Sequence, residues 1–349
     1  MAETLEATYR VVTPMFLGGA DQTPVDGLRP PSFKGALRFW WRALNWHRFR
    51  AATSCDESAL IVLHDEEARL FGLAAGSGQD SGQGVFLLRI TRQPRNAVES
   101  NWPQNNTGSG YLGYGLMETR ETPHRQGIRE GGDFDVQLRF KPRTNPADQE
   151  TIREAMQALS LFGGLGSRAR RGFGSLTLLR LNDQDMMQDV SGFERAVRDQ
   201  LESAQTVEDF PPYTAFSARA DFKLLATGQD ARQVHGQAGL LYKQHRGQAS
   251  ALRGADKIPF GLPLQGIDQD SRRASPLIFH VQALRDGQFA AAVLYLPAAF
   301  HHDPRYYAAR AIASRFSNIR DLGGVLLWSD RWCLEQQLGE IAFVPAGLE

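Results

Sequence analysis

Two groups of cations stand out as residues that could do chemistry. The first lies in Arg29-Pro-Pro-Ser-Phe-Lys-Gly-Ala-Leu-Arg-Phe-Trp-Trp-Arg-Ala-Leu44, where Lys34, Arg38 and Arg42 recur every four residues. At 3.6 residues per turn they line one side of a helix, while Phe33, Leu37, Trp40 and Leu44 line another. Between Gly27 and Cys55 there is no Asp or Glu, yet Arg29, Lys34, Arg38, Arg42, Arg48 and Arg50 are all present. The second group is in Gly163-Gly-Leu-Gly-Ser-Arg-Ala-Arg-Arg-Gly-Phe-Gly174, where Arg168, Arg170 and Arg171 sit among Gly163, Gly164 and Gly166. Guanidinium groups and the free amides of a glycine loop both suit phosphate oxygens. Trp41 and Trp46, beside the first group, could either pack or stack on nucleic-acid bases, a contact worth about 1–3 kcal/mol per base.

Other chemistries fit less well. Gly164-Leu-Gly-Ser-Arg-Ala169 matches the G-x-G-x-x-A dinucleotide spacing, but that pattern needs a strand before it and a helix after it, and here the order is reversed. No Gly-Lys-Ser/Thr follows, which excludes a P-loop. The eight histidines are scattered, with no HExxH and no paired-ligand spacing, so neither a metal nor another cofactor is expected. His301-His302-Asp303 looks like a metal fragment, yet adjacent histidines before a proline more often cap a helix and stay solvated. His47 alone could act as the base of a metal-independent ribonuclease. Cys55 and Cys333 are the only cysteines, too far apart in sequence to suggest a disulfide framework.

These groups must be positioned by elements that the chain announces. Leu5–Pro14 alternates and is β-rich, so it reads as a strand. Pro30-Pro31-Ser32 announces the basic helix, with the Ser32 hydroxyl available to cap it. A helical pattern covers Asp65–Phe71, strands cover Val85–Thr91 and Phe134–Phe140, a helix runs from Pro146 to Phe162, and Ser175–Leu181 is a strand after the glycine loop. The order β, α, β, β, α, loop, β is ferredoxin-like, as in RRM domains. Asn96–Gly132 is a polar, aromatic insertion without a period. The second half repeats the outline with a strand at Ala215–Ala226, a helix at Ala231–His245 and a hairpin, Pro276–Leu284 and Phe289–Leu296, turning at Asp286-Gly287. A helix at Pro304–Phe316, a strand at Gly324–Leu327 and a helix plus short strand in Trp328–Glu349 complete it. The expectation is an α+β chain of two tandem ferredoxin-like domains, residues 1–182 and 213–349, joined by a linker at 183–212 with a short helix.

The 349 residues carry 39 Lys+Arg against 39 Asp+Glu, so any nucleic-acid site is a patch and not a global field. Met-Ala-Glu-Thr-Leu-Glu lacks a basic, apolar leader, and no run approaches the roughly 20 apolar residues of a membrane span. A cytoplasmic protein with no membrane partner is expected. Taken alone, the Gly/Arg stretch reads first as a solvated loop whose glycines permit a tight connection. Beside a basic helix and a ferredoxin-like order, a fold used for single-stranded RNA, phosphate binding becomes the better reading.

Thr13-Pro-Met-Phe-Leu-Gly-Gly-Ala20, Leu28-Arg-Pro-Pro-Ser-Phe-Lys-Gly-Ala-Leu-Arg-Phe-Trp-Trp-Arg42, Leu161-Phe-Gly-Gly-Leu-Gly-Ser-Arg-Ala-Arg-Arg-Gly-Phe-Gly-Ser175 and Ala274-Ser-Pro-Leu-Ile278 together resemble the RAMP superfamily of CRISPR proteins. The resemblance is strongest to the first-numbered RAMP subunits of Cmr (type III-B) effector complexes. It implies tandem ferredoxin-like domains, binding of crRNA near its 3′ end and/or of target RNA in antiviral defence, other RAMP subunits as partners, and no catalytic role. Gly163–Gly174 matches that family's glycine-rich loop. Two alternatives stay open: a metal-independent crRNA-processing ribonuclease of the RAMP class using His47, and an assembly subunit with little RNA affinity. The latter would make protein contacts through Ala290–Phe300 and Leu322–Trp328.

Overall fold

The computed structural model describes residues 3–18, 23–73, 82–94, 98–116, 125–208, 210–248, 260–264, 266, 268–296 and 298. The expected elements Pro304–Phe316, Gly324–Leu327 and Trp328–Glu349, together with His301-His302-Asp303, Leu322–Trp328 and Cys333, lie outside them.

In chain order the main elements are β1 (Thr4–Val11), α1 (Pro30–Ala51), α2 (Asp56–Phe71), β2 (Phe86–Arg92), α3 (Gly108–Leu112), β3 (Asp133–Phe140), α4 (Pro146–Phe162), β4 (Leu176–Leu181), α5 (Val190–Glu202), β5 (Asp221–Gly228), α6 (Ala231–Gln248), β6 (Leu277–Ala283) and β7 (Phe289–Tyr295). The first sheet is antiparallel in the order β2-β3-β1-β4, with the two-residue strand Gln184–Asp185 added at the β4 edge, and the second runs β5-β7-β6. Strict alternation decides which face of the first sheet is covered. Leu5, Ala7, Tyr9 and Val11 of β1 and Phe134, Val136, Leu138 and Phe140 of β3 are buried together with residues of α1 and α4. Thr8, Arg10, Asp133 and Asp135 point the other way, in register, and pair with one another: Arg10 Nε donates to Asp133 at 2.8 Å and Thr8 Oγ1 to Asp135 at 2.8 Å. Arg92 from β2 closes the ladder on Asp135 at 2.7 Å.

Helix α1 begins at Pro30, not at Ser32, and has no side-chain cap. Prolines in the first turn lack the N–H groups that a cap would satisfy, so the serine is not needed for that task. Helix α4 does use a cap, with Asn145 Oδ1 accepting from Ala147 N at 3.0 Å. In the second half, β5 starts at Asp221, not Ala215, because the preceding chain is taken up elsewhere: Phe216 N donates to the Ala43 carbonyl of α1 at 3.0 Å, and Ala220 closes a turn on Ser217. The hairpin turn sits where Asp286-Gly287 predicts it, with Gly287 at φ +83.

The 96–132 stretch has a clear structural role. Its short helix α3 crosses α6 at glycines, Gly108 lying so close to Gly236 and Gly239 that a Cβ on Gly108 or Gly239 would strike the opposite backbone. Arg232 of α6 fastens the crossing by pairing with Glu99, only 2% exposed, and with Glu130, and by lying 5.5 Å over the Trp102 ring. The Ala290–Leu296 run expected to offer protein contacts is core, every residue at most 3% exposed.

Candidate nucleic-acid interface

The two basic groups have different fates. On α1, the helix that follows in sequence folds back against the cations. Glu67 of α2, 6% exposed, accepts from Arg38 Nε at 2.7 Å and lies 3.3 Å from Arg42 Nη1. Arg38 also lies over the Phe71 ring, and Lys34 over Phe86 at 5.4 Å. Burial, with Arg38 nearby, lowers the Lys34 pKa. Further along, Arg48 pairs with Glu154 and Arg50 with Asp56. Trp41 and Trp46 are 2% and 1% exposed, packed against Phe71 and Tyr213 respectively, so both rings are core groups and neither is open to a base.

The glycine loop runs between α4 and β4 and is laced to the segment after β1. Ser167 N donates to Phe16 O, Gly174 N to Pro14 O, Leu165 N to Gly174 O, and Gly172 N to Ala169 O. Gly166 stands at φ +91 with the Phe16 carbonyl 2.6 Å from where a Cβ would be, so glycine is required there by both conformation and space. The amides of Gly163, Leu165, Ser167, Arg171, Gly172 and Gly174 are therefore already used within the protein. Gly163 and Gly164 likewise serve close backbone approach, to Leu159 and Gly174.

The loop is also tied to the second half. Phe279 N of β6 donates to the Arg170 carbonyl at 2.9 Å. Two buried histidines hold its ends: His280 Nδ1 lies 3.0 Å from the Gly163 carbonyl, and His235 Nε2 lies 2.8 Å from the Arg171 carbonyl. Burial pushes both imidazoles down to about 4, so they are neutral at pH 7, each donating to its carbonyl. Ser109 Oγ approaches His235 Nδ1 at 2.9 Å. Hydroxyl and imidazole are nevertheless sealed from solvent at 3% and 1% exposure, which rules out a nucleophilic pair acting on substrate.

The three loop arginines divide. Arg170 turns inward, donating to Ser275 O at 3.0 Å and lying 4.9 Å over Phe39, and burial followed by Arg171 pushes its pKa down to about 10. It is a packing group. Arg168, at φ +61, and Arg171 remain, joined by Arg125, whose Nη1 contacts Ser167 Oγ. Burial first, then Arg171 and Arg125, lower the Arg168 pKa. Among the described residues no carboxylate pairs with any of these three, and Arg171 Nη1 and Arg125 Nε are buried without a hydrogen-bond partner. Arg171 lies over the rings of Tyr242 and Phe279. Arg125 was missed in the sequence because its proximity depends on the insertion folding back onto the loop.

Residues 8–177 match the family model of the RAMP superfamily, a span that contains both basic groups. That match covers just under half of the chain. Curated proteins similar to this chain include the CRISPR system Cmr subunit Cmr1-1 of Pyrococcus furiosus, 24% identical over 298 residues that cover 80% of this chain and 83% of that protein. Cmr1-2 of the same organism is 25% identical over 182 residues, covering 49% and 93%. Among solved structures, Cmr1 from Pyrococcus furiosus in its apo form superposes with a TM-score of 0.58 at 22% identity, covering 86% of this chain and 90% of that one. A chain of the type III-B Cmr-beta assembly bound to cognate target RNA and AMPPNP gives 0.53 at 12% identity, covering 98% and 100%. These likenesses are of fold.

His47, the candidate catalytic base, is half-buried, and burial followed by Arg48 lowers its pKa. No group of His, Cys, Asp and Glu among the described residues could hold a metal, and no described helix is long and apolar enough to cross a membrane.

Proposed function

We propose that this chain is a non-catalytic RNA-binding subunit of a type III-B CRISPR (Cmr) ribonucleoprotein effector complex, cytoplasmic and acting in antiviral defence. It grips the sugar-phosphate backbone of crRNA near its 3′ end, or of target RNA, at the glycine-rich loop, with other RAMP subunits as neighbours. The observation that carries this reading is the trio Arg125, Arg168 and Arg171, brought together with no carboxylate paired to them among the described residues, at a loop tied to both halves. Arg171 Nη1 and Arg125 Nε are buried donors with no hydrogen-bond partner; an anion would stabilise them, and phosphate oxygens match guanidinium geometry. The Cmr identity of the relatives supports the assembly part of the proposal. The sheet orders β2-β3-β1-β4 and β5-β7-β6 support two ferredoxin-like units in residues 1–182 and 213–349, with α5 in the 183–212 connection.

Cleavage fits less well. His235 and His280 are neutral and buried, and no acid is paired with His47 among the described residues. The decisive measurement is RNA binding by the full chain across a salt titration. Arg168→Gln with Arg171→Gln is expected to weaken binding about tenfold and to reduce the slope of log K against log salt by about 1.4, the counterion release of two single-strand phosphate contacts. An unchanged slope would refute the loop as the phosphate site. Shortened products on incubation with precursor RNA would refute the non-catalytic reading.

A further inference from the structure

Tyr114 is 80% exposed, an unusual place for a large aromatic ring. It lies in the turn that follows α3, where Tyr114 N reaches the Tyr111 carbonyl and Leu116 N that of Gly113. The turn presses onto the glycine loop. Gly115, at φ +86, sits so close to Arg168 that a Cβ there would collide with Nη2 of the guanidinium, and the Tyr114 phenol is near enough to act on the Arg168 charge. Arg168 is itself held in the left-handed region, which a non-glycine residue adopts only when its surroundings impose it. An exposed aromatic face and a set of guanidinium groups that pair with no carboxylate among the described residues thus come together from two segments some fifty residues apart in sequence, as Arg125 and Ser167 do just beside them.

This juxtaposition has the chemistry of a nucleotide. The arginines offer donors to a phosphate, and the phenol offers an exposed π-face on which no ring stacks among the described residues. We propose that Tyr114 is the stacking platform for an unpaired base whose adjoining phosphate is held by Arg168 and Arg125. The inference rests on the RNA-binding reading and narrows it to single-stranded RNA, because a base within a duplex has both faces already stacked. It also gives the insertion a second task beyond docking on α6. The outward strand positions of the first sheet, where an RRM places its stacking rings, hold Thr8, Arg10, Asp133, Asp135 and Gln137, with Tyr9 and Phe134 turned into the core. Stacking in this chain is therefore supplied from the loop side.

The test is titration of the full chain and its Tyr114→Ala, Tyr114→Phe and Arg168→Gln variants with a short unstructured RNA and with the same sequence as a duplex. Tyr114→Ala is expected to weaken single-strand binding about 5- to 150-fold, the range of one base stack, with an unaltered salt slope. Tyr114→Phe should bind within about twofold of the parent, since the ring is kept, and duplex affinity should be the same for the parent and Tyr114→Ala. Arg168→Gln should instead flatten the salt slope by about 0.7. Unchanged single-strand binding by Tyr114→Ala alongside a loss in Arg168→Gln would overturn the stacking subsite and leave the RNA-binding reading standing. Equal losses in Tyr114→Ala and Tyr114→Phe would overturn it in favour of a hydroxyl contact, and a parent chain that binds no RNA would overturn both. A matching melting temperature for Tyr114→Ala separates any loss from unfolding, because so exposed a ring contributes little to the core.

Discussion

Helix α1 and the glycine loop carry similar sequence signals and reach opposite electrostatic ends. Both are arginine-rich and free of acidic residues over their own length. The helix presents a regular stripe, and a regular stripe is a surface that another helix can cover. Glu67 on α2 sits under Arg38 and Arg42, so two cations share one buried carboxylate. The loop is irregular and is met by the segment after β1, by the insertion, by two neutral histidines and by aromatic rings. Its arginines meet like charge and no carboxylate among the described residues. Positive charge in a sequence thus marks where cations are, while availability to phosphate depends on which segment folds against them.

The comparison can be strained most by acid. The loop is held through His235 and His280, each buried with a pKa of about 4 against an ordinary value near 6.5. A lowered histidine pKa means that the unfolded chain binds more protons than the native one between those values, so stability is full above about pH 7 and falls as the pH drops from about 6.5 towards 4. The loss is on the order of 3 kcal/mol for each histidine at the lower limit. Urea unfolding across that window should show it, and the double variant His235→Gln with His280→Gln should show a flatter dependence. Equal pH dependence in parent and variant would mean that the clamp is not what titrates.

A smaller effect is expected on the helix. Arg38→Ala with Arg42→Ala leaves the Glu67 carboxylate buried and unpaired, which should cost about 3 kcal/mol in unfolding free energy, less whatever water recovers at these partly exposed arginines. RNA affinity of the folded variant should stay within about twofold of the parent, the reverse of the loop variants. A large loss of affinity with stability intact would restore the helix as an RNA face. The smallest effect belongs to a third basic place, the outer face of the first sheet. Arg92→Ala removes an exposed partner of Asp135 and should change stability by about 0.5 kcal/mol or less, with RNA binding unmoved. A clear loss of affinity there would mean that the sheet face is a binding surface after all.

Much of the first half was legible because its signals are local. Alternation in 134–140, the proline entry at Pro30, the 3.6-residue period of Pro146–Phe162 and the glycine loop each specify one element, and the strand order follows. What was not legible depends on distant pairing. Nothing near Arg38 announces Glu67, nothing near Trp41 and Trp46 announces that Phe71 and Tyr213 will cover them, and nothing near Arg168 announces Arg125 and Tyr114. Arg170 reads like its neighbours and is the one that turns inward to Ser275. The insertion lacked a period because its short helix is fixed by glycine contacts and by Arg232, neither of which leaves a repeating pattern.

The bond from Phe279 N to the Arg170 carbonyl has a mechanical consequence. Together with the two histidine contacts it makes the loop a rivet through which the halves share load. If a strand is held at Arg168 as proposed, a pull on it would pass to α4 and β4 on one side and to β6 and α6 on the other, so tension would be borne by both cores at once and not by a flexible tether.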